Sequence, residues 1–278
     1  CLMMYSMAGR FSEEFECGCM IRVAASKSSP SRFLSADNDL EMFLREDIVE
    51  LIRSPAITEE SLNTWIYFDQ RNLADLPYYS GGMPINESLP LLYEADGSEL
   101  PAEKFEGSRI LHYDHSLSKM TVNATYANEV DSDSPVIVED FMTWALRDCV
   151  ATGAEEYFMI FTSHGGGFIG YGGDENDGLE VAVNAEEADG GVPSENPDLD
   201  LGERRKLVQS NQRIVDAIES SLTKVEGAPA ILDVIGFDAC LMSGLGAIDE
   251  YRDVAKYVLA SEATEPGHGE IPLFHAKG

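Results

Sequence analysis

The sequence predicts an α/β protein, a mainly parallel sheet flanked by helices. Three observations predict it. Stretches with apolar residues every three or four positions alternate with short apolar runs, the order expected when strands are joined by crossover helices. Two of the runs, Tyr157 to Phe161 and Ala230 to Phe237, are largely apolar without alternation, as strands buried on both faces of a parallel sheet must be. The 278 residues, 44% of them hydrophobic, are enough to bury a substantial core.

In chain order, residues 1 to 30 mix Ser, Gly, Cys and Met without a period and end on the breaker Ser28-Ser29-Pro30, so they are expected to be a peripheral segment before a domain spanning 31 to 278. Arg32-Phe33-Leu34-Ser35 makes at best a short, half-polar strand. A helix is expected to start at Asp37 or Asn38, either of which can cap it; Leu40, Phe43, Leu44, Ile48, Leu51 and Ile52 form its apolar stripe and Pro55 closes it. Thr64 to Phe68 is β-branched and aromatic and reads as a short buried strand. Residues 71 to 107, rich in Pro, Gly and acidic groups, read as loop. Arg109–Tyr113 and Met120–Tyr126 can pair as strands. Val136 to Val150 has helical spacing, with Phe141, Trp144, Ala145 and Leu146 prominent. Leu207 to Leu222 is helical, and Tyr257 to Ala260 is a last short strand.

Between residues 174 and 203 there are eleven acidic side chains and no basic one, interrupted by Gly190, Gly191, Pro193 and Pro197; this is expected to be a flexible acidic loop. Arg204-Arg205-Lys206 follows at once. The whole chain carries a formal charge of −31, which argues against non-specific nucleic-acid binding, since that needs a basic surface. Such charge fits basic substrates or calcium, although an acidic solvated surface is by itself a sufficient explanation. No run of 18 apolar residues exists to span a membrane. The first residue is Cys1 rather than Met, so the true N-terminus is expected to lie outside this sequence.

The five cysteines, Cys1, Cys17, Cys19, Cys149 and Cys240, are too sparse and odd in number for a disulfide framework, and the Cys17–Cys19 spacing is poor for zinc. Cys149, closing a predicted helix, reads as a packing residue. His112 and His115 are three apart in a predicted strand or loop, a spacing that puts them on opposite faces. His268 and His275 read as surface groups. No metal site is assigned.

Two motifs carry chemistry. Phe161-Thr162-Ser163-His164-Gly165-Gly166-Gly167 follows a predicted central strand, and so does Gly236-Phe237-Asp238-Ala239-Cys240-Leu241-Met242-Ser243. Ligands of open α/β sheets sit beyond the carboxyl ends of strands, and glycines let backbone N–H groups approach a substrate. Each motif alone is compatible with a structural role, as a histidine beside a Gly-rich turn or a buried cysteine. Together they place histidine and cysteine at one sheet edge, the minimal kit for nucleophilic acyl transfer.

At these residues the chain resembles a family. Ser163-His164-Gly165 and Asp238-Ala239-Cys240 are similar to the signatures of the caspase-like peptidase clan. The longer His164-Gly165-Gly166-Gly167 and Phe237-Asp238-Ala239-Cys240-Leu241-Met242 resemble the clostripain family within it. Asp37-Asn38-Asp39-Leu40-Glu41 and Ser261-Glu262-Ala263-Thr264-Glu265-Pro266-Gly267 resemble two flanking segments of that family, and the likeness runs from about residue 31 to 275.

The resemblance implies a caspase-like α/β/α sandwich and a cysteine endopeptidase acting on peptides or proteins, with a domain expected to continue past the point, soon after Phe274, where this sequence stops. It implies Cys240 as nucleophile, His164 as the group that protonates the departing amine, and the backbone N–H groups of Gly165 and Cys240 as oxyanion hole. Asp238 corresponds to the acidic residue that selects Arg or Lys; in its structural reading it is a turn or cap aspartate. Ser261 and Glu262 would lie beside the substrate backbone. Self-cleavage between the motifs, which stand 76 positions apart, would fall at Arg204, Arg205 or Lys206. No cofactor is required for this chemistry, but some members need calcium, and the acidic loop could supply oxygen ligands although it lacks EF-hand spacing. The competing readings are a catalytically inactive homologue serving as a binding or regulatory module, and an acidic calcium-binding or adhesion module.

Overall fold

The computed structural model describes residues 28–35, 44, 47–48, 51–52, 62–69, 92–94, 96–100, 107–126, 130–172 and 210–264. The capping position at Asp37 or Asn38, Pro55, the acidic loop, Arg204 to Lys206, Glu265 to Gly267, His268 and His275 lie outside them.

The centre of the fold is an eight-stranded sheet in the order β3-β5-β4-β2-β1-β6-β7-β8. The strands are β1 (Ser28–Ser35), β2 (Trp65–Asp69), β3 (Tyr93–Glu94), β4 (Arg109–Asp114), β5 (Lys119–Thr125), β6 (Glu156–Thr162), β7 (Leu232–Asp238) and β8 (Ala255–Leu259). From β2 through β1, β6 and β7 to β8 every pairing is parallel, while β4 runs antiparallel to both β2 and β5. β6 therefore has a parallel neighbour on each side and is buried along most of its length, which is why its sequence is a nearly continuous apolar run.

β1 departs furthest from the sequence reading. It begins at Ser28, includes the breaker Ser28-Ser29-Pro30, and lies in the middle of the sheet between β2 and β6. Pro30 is tolerated because pairing with β2 begins only at Ser31; before that β1 has β6 as its one neighbour, so the missing N–H breaks no ladder on the other side. Ser31 and Arg32 are buried beside Phe33 and Leu34. The stretch read as loop over 71 to 107 also contributes β3, two residues long and paired with β5.

Side chains alternate between two cores. Phe33, Trp65, Tyr67, Ile110 and Phe161 point to one face, where they meet Phe141, Leu146, Ile214 and Ile218. These last four come from α1 (Pro135–Ala151) and α2 (Asn211–Lys224). On α1 the buried positions Val138, Phe141, Met142, Ala145, Leu146 and Cys149 recur at three and four, and Pro135 starts the helix where its lack of N–H costs nothing. Trp144 sits at the margin of that stripe, 36% exposed, with its ring 6.3 Å from Trp65. α2 is capped by Ser210, whose side chain accepts from the Arg213 N–H. On the other face Leu34, Ile66, Phe68 and Leu111 meet Leu44, Ile48 and Leu51 of the early helical segment. The result is helices on both faces of a mainly parallel sheet, a caspase-like α/β/α arrangement. No helix among the described residues is long and apolar enough to cross a membrane.

Candidate active site

The two motifs emerge from adjacent parallel strands in matching register. Thr162, the last residue of β6, is paired with Asp238, the last of β7; two residues further along each chain stand His164 and Cys240. Both side chains are partly exposed, and Cys240 carries a thiol.

Glycine determines how closely the two turns approach. A Cβ placed on Gly165 would overlap the Cys240 carbonyl oxygen and lie 2.9 Å from the Cys240 backbone nitrogen and 3.0 Å from Ala239 Cβ. A Cβ on Gly167 would lie 3.1 Å from the Leu241 carbonyl oxygen. The two residues that would supply an oxyanion hole, Gly165 and Cys240, are thus in backbone contact, and a side chain at Gly165 would force them apart. Gly167 also has φ +64, the left-handed region that glycine enters without strain.

The histidine turn folds back as a small hairpin. Gly165 bridges to Tyr171, the Gly166 N–H donates to Gly170 O at 2.8 Å, and the Gly172 N–H donates to His164 O at 3.0 Å. Tyr171 pins the hairpin from below: its ring packs against Phe161 and Phe237, and its hydroxyl donates to Phe33 O at 3.3 Å. Asp133 closes its outer side, because a Cβ on Gly172 would overlap the Asp133 carboxylate. The Asp133 N–H donates to Asp131, whose carboxyl is pushed above its ordinary range by burial, against the lowering effect of that N–H and of Arg213.

The cysteine turn is equally constrained. Leu241 has φ 63, uncommon for a side chain of its size, and is 43% exposed. The segment after β8 lies alongside: the Leu241 N–H donates to Ala263 O at 3.0 Å and the Ser243 N–H to Ser261 O at 2.9 Å. Ser261 and Glu262 are therefore beside the residues that follow Cys240, with Glu262 exposed. Asp238 is 6% exposed, its carboxylate buried at the strand end.

One pair of residues at the site escaped the sequence reading. Asn211 Nδ2 donates to Gly167 O at 3.0 Å, and Tyr251 Oη donates to Asn211 Oδ1 at 2.9 Å, all three residues being buried. His112 and His115 serve structure instead: the Nε2 of His112 bonds Asn63 Oδ1 at 2.9 Å and its ring stacks on Trp65, while His115 Nε2 meets Leu62 O. Cys149 is buried in the α1 core. Among the described residues no three His, Cys, Asp or Glu side chains gather to hold a metal ion.

This is the architecture of the caspase-like cysteine peptidases. The family model of the clostripain family, peptidase C11, matches residues 32–180 and 208–271, and between these two stretches it leaves out residues 181–207. The chain belongs to the clostripain family of cysteine peptidases. Its structure is similar to that of a secreted C11 cysteine protease from Bacteroides thetaiotaomicron in complex with an irreversible peptide inhibitor, with a TM-score of 0.55 and 19% identity over 87% of this chain and 51% of that one. An inactive zymogen C11 protease from Parabacteroides distasonis is matched at TM-score 0.49 and 17% identity, over 88% of this chain and 51% of that one. The chain thus spans about half the length of these proteins. No curated protein matches the sequence.

Proposed function

We propose that this chain is the peptidase unit of a cysteine endopeptidase that cleaves after Arg or Lys. Cys240 gives its thiol proton to His164 and its Sγ attacks the scissile carbonyl carbon, and the negative charge on the carbonyl oxygen is met by the N–H groups of Gly165 and Cys240. As the C–N bond breaks, His164 gives a proton to the departing amine; water, deprotonated by His164, then hydrolyses the thioester and restores the thiol. Asp238 pairs with the substrate cation, and its carboxylate favours the bidentate fork of Arg over Lys.

The observation that carries this reading is the matched exit of His164 and Cys240 from paired strands, with the Gly165 backbone against that of Cys240. Turnover of short fluorogenic peptides ending in Arg, Lys, Asp or Ala tests it, with Cys240→Ala as control. Cleavage after Arg or Lys that vanishes in Cys240→Ala supports both the nucleophile and the selectivity. Cleavage after Asp or Ala would keep the nucleophile and remove the role of Asp238. Turnover that survives Cys240→Ala would remove the nucleophile.

Two extensions belong to the same proposal. Self-processing at Arg204, Arg205 or Lys206 should yield two chains in wild type and one in Cys240→Ala. Calcium held by the acidic loop should make activity sensitive to chelation; unchanged activity in a chelator would exclude it.

A further inference from the structure

We propose that Asn211 and Tyr251 are positioning residues for catalysis, fixing the turn that carries Gly165 into the oxyanion hole. The inference rests on the proposed role of Gly165.

Hydrogen-bond chemistry gives the pair a single arrangement. The Gly167 carbonyl can only accept, so the Asn211 amide must turn its NH2 group toward it. That leaves Asn211 Oδ1 facing Tyr251, whose hydroxyl must then donate. Burial pushes the Tyr251 phenol well above its ordinary pKa, so the hydroxyl keeps the proton it donates. Each residue fixes the orientation of the next, from the 3-10 turn after α3 (Leu245–Glu250), through the first residue of α2, to Gly167.

The connection matters because of what it holds. Gly167 is two residues from Gly165, and its own backbone lies against Leu241, the residue after Cys240. The Tyr171 hairpin fastens His164 to Gly166 from within. Asn211 ties Gly167 by a side-chain hydrogen bond from outside that hairpin, 44 residues away in sequence. Tyr251 lies against Phe237, with ring centroids 4.9 Å apart, so the same side chain also abuts the strand that leads to Cys240. A shift of the turn would move the Gly165 N–H away from the developing oxyanion without touching the thiol, and a misplacement of about 1 Å costs about 100-fold in rate.

Three variants test this: Asn211→Asp, which sets an acceptor against the Gly167 carbonyl; Asn211→Ala; and Tyr251→Phe, which removes only the hydroxyl and is the mildest to folding. The expected kinetic result is a fall in kcat of about 10- to 100-fold with KM near wild type. Alkylation of Cys240 by iodoacetamide, which needs no oxyanion hole, should stay within about threefold of wild type. Hydrogen exchange of residues 164–170 should accelerate at least about tenfold while β6 keeps its protection, a readout independent of turnover. Exchange of the turn unchanged in Asn211→Asp would overturn the inference, as would alkylation and turnover falling together in Tyr251→Phe. If the wild-type chain proves to have no Cys240-dependent turnover, the proposed function fails while exchange still decides whether Asn211 holds the turn.

Discussion

Replacing Gly165 by alanine adds one methyl group at the most crowded point of the site. Gly165 has no positive φ, so the substitution carries no backbone penalty and its effect comes from space alone. The new Cβ would overlap Cys240 O and stand 2.9 Å from Cys240 N and 3.0 Å from Ala239 Cβ, where ordinary contacts lie at 3.4 to 4 Å. Relief from the nitrogen alone requires about half an ångström, and relief from the oxygen more, so the two turns must separate by on the order of 1 Å. Both proposed oxyanion donors sit on the surfaces being pushed apart. The expected loss in kcat/KM is about 100-fold, which corresponds to about 2.7 kcal/mol of transition-state stabilisation. The assay is turnover of an Arg-terminated fluorogenic peptide, normalised to titratable Cys240, with thermal unfolding measured in parallel. Activity within about threefold of wild type, in a protein of unchanged stability, would refute the claim that Gly165 and Cys240 share one anion site.

Other outcomes follow from the same structure. Gly172→Ala meets the Asp133 carboxylate at φ +107 and should destabilise the protein by about 2–4 kcal/mol, read by urea unfolding, with the His164 hairpin losing exchange protection first. Leu241→Gly should relieve left-handed strain and change stability by no more than about 1 kcal/mol, in the stabilising direction, because glycine's extra chain entropy offsets part of the gain. Burial lowers the pKa of His112 against the raising effects of Asp148 and Asp114, so the folded state binds its proton less readily than the unfolded chain. Its stability contribution is therefore present above the unfolded value near 6.5 and is lost as pH falls toward the lower folded value; His112→Gln should flatten the decline in melting temperature between pH 7 and 5.

The parts of the fold legible in the sequence were those whose residues answer to their immediate surroundings. β6 has a strand on each side, so its run from Tyr157 to Phe161 is apolar without alternation; α1 lies on one face, so its burial repeats at three and four. β1 was obscured because Ser28, Ser29, Pro30 and Arg32 have no strand signature, and what makes them a strand is the pairing of neighbours 34 and 128 residues away. β3 is shorter than any period. At the site, the histidine and cysteine turns were visible because glycines and a cysteine after apolar runs are themselves unusual. Asn211 and Tyr251 were not: an asparagine near a helix start reads as a cap, and its partners stand 44 and 40 positions away.

The paired exit of β6 and β7 has a consequence for the life of the molecule after any cut in the segment between Gly172 and Ser210. β1 to β6 with α1 would form one polypeptide, and α2, β7 and β8 another, joined across the β6–β7 ladder and the α1–α2 contact. His164 and Cys240 would then belong to separate chains. Folding of the intact chain is a unimolecular event, but recovery of the cut protein from denaturation would be an encounter between two fragments, slowing in proportion to dilution. A nick would leave the native molecule assembled yet make its unfolding effectively final at low concentration, so the working lifetime of a nicked enzyme would be set by its first unfolding.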